Sequence, residues 1–152
     1  MMIGRKIVRL VLTFAYDLLV RWERLTGALT RGAAVAVWYD GQILVVRHSY
    51  QPGSSLPGGE VKKDEEPAAA ASRELREEVG IQVEPESLIF VHEGRSGEIL
   101  FELHPCVRPD LKIDNFEIIE ARFFDPVDIA DPDYKLSMYL RRATGTVRKS
   151  VV

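Results

Sequence analysis

Apolar and polar positions recur along this chain with two different periods, and the change from one to the other marks its elements. Between residues 5 and 21 a polar side chain returns at every fourth position (Arg5, Arg9, Thr13, Asp17, Arg21), while Ile7, Leu10, Val11, Phe14, Leu18 and Trp22 lie elsewhere around the same axis. That spacing predicts an amphipathic helix with a wide apolar face. Residues 25–32 carry Thr, Gly and Arg and read as a connector. Residues 33–39 and 43–47 are short β-rich runs separated by Asp40-Gly41, a dipeptide suited to the positive φ angles of a tight hairpin, so an antiparallel pair is expected. Residues 49–59, rich in Gly, Pro and Ser, read as a loop.

The strongest helical signal follows. Pro67 stands at a first-turn position, the run to Val79 is dense in Ala, Glu, Arg and Leu, and Gly80 ends it. Strands are expected at 88–92 and 99–107 around a turn at 94–97, and at 116–124. Asp131-Pro132 offers a cap and a first-turn proline for a last helix ending near Gly145. Strands and helices mix without the alternation of a doubly wound sheet, which points to an α/β sandwich built on a mixed sheet. A chain of 152 residues suits one domain, with an N-terminal helix at 1–25, the domain at 26–145 and a tail at 146–152.

Composition narrows the function classes. With 46% hydrophobic and 28% charged residues the chain belongs among globular proteins, and a net charge of -3 supplies no broad positive field to attract long nucleic acid. The lone Cys106 has no partner for an internal disulfide and reads as an ordinary residue of the alternating run Phe101, Leu103, Pro105, Val107. The apolar N-terminal stretch is interrupted by Arg9 and Asp17 and lacks a small-residue cleavage site, so it reads neither as a signal peptide nor as a membrane span. A cytoplasmic protein is the expectation. Its N-terminal helix is expected to pack on the domain or on a second subunit as a homodimer, while Arg5, Lys6, Arg9, Arg21 and Arg24 leave peripheral membrane contact open.

Candidate chemistry concentrates in LPGGEVKKDEEPAAAASRELREEVGI, residues 56–81. Glu74, Glu77 and Glu78 are spaced i, i+3 and i+4 on one helix face, with Glu65 just before it. Like charges at i and i+4 weaken an isolated helix by roughly 0.2–0.5 kcal/mol, so helix propensity does not account for them. Pairs such as Arg73 with Glu77 allow a solvated, salt-bridged face; a hard divalent cation, which joins carboxylates to phosphate oxygens, is the other reading.

The segment resembles the Nudix box: Gly59, Glu65, Arg73, Glu74, Leu75, Glu77, Glu78, Gly80 and Ile81 stand at its specified positions. The resemblance extends loosely to the preceding hairpin, to Leu56-Pro57-Gly58 and to the later run Glu120-Ala121-Arg122-Phe123-Phe124, but not to the first 25 or so residues or the chain after Ala143. It implies a hydrolase using Mg²⁺ or Mn²⁺ to cut a small substrate, a nucleoside diphosphate linked to another moiety. It further implies metal ligation by Glu77, Glu78 and the Gly58 carbonyl, and a metal-binding or proton-accepting role for Glu74. Arg73 would pair with Glu65 to hold the helix face. A non-catalytic nucleotide-sensing or protein-binding module of the same shape is the alternative. Many relatives carry glycine where Asp64 stands and an aromatic residue where this chain has Ser54 and Ser55, which removes a stacking platform for a base. Glu98, Glu117 and Glu120 are candidates for a further acid. His48, His92 and His104 read as surface or strand residues, with His48 leading into the active loop.

Overall fold

The computed structural model describes residues 2–26, 31–113 and 116–149. Their order is α1 (Met2–Thr26), β1 (Gly32–Tyr39), β2 (Gln42–His48), β3 (Gly58–Glu60), α2 (Pro67–Val79), β4 (Ile89–Glu93), β5 (Glu98–Leu103), β6 (Ile118–Phe124) and α3 (Tyr134–Lys149). The strands form one mixed sheet in the order β4-β5-β1-β2-β6, with β3 added beside β1. β1 runs parallel to β5 over its length and antiparallel to β2 and β3.

The central strands are buried on both faces, and period two sorts their side chains between two cores. Val35, Val37, Leu44 and Val46 face α2, packing with Ala70, Ala71, Leu75 and Val79. Ala36, Ile43 and Val45 face the other way, onto Leu136 and Tyr139 of α3. A polar chain closes that second layer: the Trp38 indole N–H donates to the Tyr139 hydroxyl, which donates to Glu102 at 2.5 Å. The architecture is therefore the expected α/β/α sandwich with a mixed sheet.

The sheet forks on one edge of β1. The C-terminal end of β1 pairs with β2 through Trp38 and Tyr39, whereas its N-terminal end pairs with β3 through Gly32, Ala33 and Ala34. The tight turn between β1 and β2 uses Asp40 and Gly41 at φ 50° and 74°.

Several boundaries differ from expectation. Gly58 and Gly59, expected in the loop, lie with Glu60 in β3, because the open edge of β1 recruits them. β5 ends at Leu103, which leaves Cys106 exposed beyond the strand. The first turn of α3 is capped by Asp133, whose Oδ1 accepts the Leu136 N–H at 2.8 Å, and not by Asp131, whose carbonyl instead accepts from Ser54. The helix continues to Lys149, through part of the expected tail. Residues 27–30 of the expected connector lie outside the described residues.

Leu75 anchors α2 at 0% exposure. Leu75→Ala is expected to cost about 2–5 kcal/mol of unfolding free energy, measured by urea denaturation, through lost burial and a residual cavity.

Candidate active site

Three elements converge at the fork: β2 brings His48 at its end, β3 brings Gly58 and Gly59, and α2 brings Arg73, Glu74, Glu77 and Glu78. Glu78 belongs to the buried stripe of α2, three residues after Leu75, so the helix that buries its apolar face carries this carboxylate inward to 5% exposure. Both of its oxygens are met. His48 Nε2 lies 3.1 Å from Oε1, and the Gly58 N–H donates to Oε2 at 2.8 Å. Burial pushes the Glu78 carboxyl above the usual carboxylate range, opposed by His48 and the Gly58 N–H and reinforced by the charge of Glu117.

Glu117 arrives from the far side through a bulge. Between Arg47 and His48 the register with β6 shifts so that Arg47 faces Glu120 but His48 faces Ile118, and the Ser49 N–H then bonds the Glu117 carbonyl at 2.8 Å. Ligand atoms of His48, Glu78 and Glu117 all lie within 4.8 Å of one another. The Tyr50 hydroxyl donates to Glu117 at 2.8 Å, and its ring lies 5.2 Å from that of His48 and 5.3 Å from that of Tyr16 on α1. Burial, then the bond to Glu117, raises the Tyr50 hydroxyl pKa.

Arg73 organises the outer half of the site. Its Nε and Nη2 donate to the two Glu65 oxygens at 2.9 and 3.1 Å, and Nη2 also donates to the Glu60 carbonyl at 2.9 Å. Nη1 reaches Glu74 and, at 3.3 Å, Glu77. The guanidinium bonds, followed by the Lys62 N–H, hold the Glu65 carboxyl down at about 2. Glu74 is raised by burial, with Arg73 opposing. Glu77 is half exposed.

The two glycines permit this closeness. A Cβ on Gly59 would stand 2.6 Å from the Glu74 carboxyl, and one on Gly58 would stand 2.3 Å from the Ala33 carbonyl oxygen. Asp64 holds φ 62°, a left-handed conformation that residues other than glycine adopt infrequently.

The carboxylates singled out on α2 thus gather with Glu65 around Arg73 and Gly58-Gly59. Glu117 joins them, whereas Glu98 binds Ser96 and Glu120 pairs with Arg47 and Arg122. His104 pairs with Glu102 and His92 sits on β4. His48, expected as a surface or strand residue, is the last residue of β2, and its side chain is turned inward against Glu78 with 8% exposure. Tyr50 and Tyr16 carried no motif; the acid at a core position of α2 was the visible signal. On the α3 side of the sheet a cavity is lined by residues including Ala34, Leu56, Leu100, Tyr134, Lys135 and Met138, and Ala34 is the strand partner of Gly58.

Comparison with known proteins gives a concordant result. A NUDIX domain pattern matches residues 29–142. A MutT-like protein of Streptomyces ambofaciens is 35% identical over 74 residues, 49% of this chain and 48% of that protein, so the match spans about half of the relative's length. The MutT NUDIX hydrolase of Burkholderia pseudomallei superposes with a TM-score of 0.60 at 22% identity, over 74% of this chain and 95% of that one. An Ap4A hydrolase of C. elegans gives 0.58 at 21%, over 78% and 99%. At such identities the structural likeness establishes the fold.

Glu65 yields a pH prediction. Its folded pKa of about 2 lies below the ordinary 4.5, so the folded state binds fewer protons than the unfolded one. The resulting stability is complete above the unfolded value and is lost as pH falls through the folded one. Glu65→Gln should flatten the decline of unfolding free energy between about pH 5 and pH 2, as read by denaturation at a series of pH values.

Proposed function

Because this chain belongs to the Nudix family, we propose that it is a pyrophosphohydrolase that cuts the phosphoanhydride of a nucleoside diphosphate linked to a second moiety, with Mg²⁺ or Mn²⁺ as cofactor. The observation that carries the reading is the crowding of Glu74, Glu77 and Glu78 beside Gly58-Gly59, with Arg73 shared among three carboxylates and Glu78 held by a histidine ring and an amide. Carboxylate charge so concentrated suits a cation that the side chains do not themselves provide.

The donor set fits a hard divalent ion. Its ligands would be carboxylate and carbonyl oxygens in a compact space, the preference of Mg²⁺ when it also meets phosphate. Glu77, Glu78 and the Gly58 carbonyl would hold it, with His48 and Glu117 at its border. Once bound, such an ion supplies charge neutralisation for the diphosphate and a water that is acidic near neutral pH.

The remaining work belongs to the chain. Glu74, whose burial strengthens it as a base, is the candidate to accept a proton from the attacking water. Arg73 and Glu65 are positioning residues, since their two-pronged bond fixes the loop before α2 against the helix. His48 orients Glu78. The apolar recess next to Ala34, with Tyr134 and Lys135 beside it, is the candidate surface for first contact with the organic part of a small nucleotide substrate. The name of the structural neighbour Ap4A hydrolase favours the same substrate class. We assign this activity to a domain at 26–145, with residues 1–25 as an appended helix.

Incubation with a panel of nucleotide diphosphate derivatives should release phosphate or mononucleotide only with Mg²⁺ or Mn²⁺ present. Glu78→Gln and Glu77→Gln should each lower kcat by about 100-fold or more with the thermal unfolding transition retained, since even outer-shell partners of a metal are worth 10–100-fold. Full turnover in either variant, or equal hydrolysis with a chelator, would overturn the assignment. Nucleotide binding without cleavage would make the domain a sensor instead.

A further inference from the structure

Helix α1 sits on the domain the wrong way round for a core helix. Its contact with the described part of the domain includes Tyr16, whose ring packs on Tyr50, and Leu12 and Thr13 beside it are partly buried. These residues lie on the side of the helix opposite its exposed apolar stripe. The apolar stripe, Ile7, Leu10, Val11, Phe14 and Leu18 at helical spacing, turns outward at 56–71% exposure. Aligned residues of this size rarely face water together in a monomer, so the stripe marks a surface with an occupant.

Charge decides among the occupants. The stretch to Thr26 carries five basic residues (Arg5, Lys6, Arg9, Arg21, Arg24) against Asp17 and Glu23, in a chain whose net charge is -3. A second copy docked face to face would bring two helices of the same positive sign together. An anionic lipid surface accepts the apolar stripe among its acyl chains and attracts a helix of net basic charge. No helix among the described residues is long and apolar enough to cross a membrane.

We propose that α1 lies in the plane of an anionic phospholipid bilayer, apolar stripe down, and holds the domain at the membrane surface through its Tyr16 side. The anchor is electrostatic and hydrophobic together, so it weakens with salt and fails when the stripe is made polar.

Vesicle flotation of the full chain tests this without mistaking aggregates for binding. The chain should float with vesicles of phosphatidylglycerol and phosphatidylcholine, stay behind with phosphatidylcholine alone, and be released at least several-fold in 0.5 M salt. The double variant Phe14→Glu with Leu18→Glu should lose flotation about tenfold or more while its circular dichroism and its hydrolysis of soluble nucleotide stay unchanged. Wild-type protein that ignores anionic vesicles, or a double variant that floats equally well, overturns the proposal. So does a concentration-dependent dimer that Phe14→Glu dissolves in the absence of any vesicle binding, which would give the stripe to a second copy.

Discussion

A carboxylate on the core side of a helix is stable only if each oxygen finds a donor, and Glu78 imposes that condition on everything around it. The Gly58 amide satisfies one oxygen, which requires β3 to lie beside α2. The other meets His48, which requires β2 to end at the same point. Two glycines follow from the same demand, since a side chain at either position would collide with the Ala33 carbonyl or the Glu74 carboxylate. The fork in the sheet is the backbone arrangement that meets these requirements together.

Arg73 solves the complementary problem on the exposed side. Three carboxylates at close quarters repel, and the guanidinium offsets this by serving them all while also tying down the Glu60 carbonyl. The consequence is a division of labour within one helix. Glu65 is held as an anion down to strongly acid pH, while Glu74 and Glu78 are left as carboxylates whose charge is costly where they stand. Acids pinned beside acids under strain are the arrangement that the proposed metal role requires.

How much of this was legible followed from how local each signal is. The hairpin at Asp40-Gly41 and the helix between Pro67 and Gly80 depend on neighbours within a few residues, and both appear where the pattern puts them. β3 does not: Gly58-Gly59-Glu60 has no apolar alternation, and only the unpaired edge of β1, distant in sequence, makes it a strand. The role of His48 was hidden for the same reason, since a single histidine at a strand end acquires meaning only when Glu78 is folded against it. Glu117 was one of three equivalent acids until a bulge in β6, invisible to periodicity, carried its carbonyl to Ser49 and its side chain to Tyr50. Capping erred by two residues because Asp131 and Asp133 both suit the position and the bond between Ser54 and the Asp131 carbonyl decides between them.

The amphipathic helix shows a different limit. Its two faces were readable from spacing, but which face meets the domain was not, because periodicity fixes angles about the helix axis and says nothing of its docking. The structure uses Tyr16 for that contact, and Tyr16 touches the residue that holds Glu117. A column of rings, Tyr16 on Tyr50 beside His48, therefore joins the appended helix to the carboxylates at the fork. The apolar stripe, on the opposite side of the same helix, remains available to an outside surface without disturbing that column.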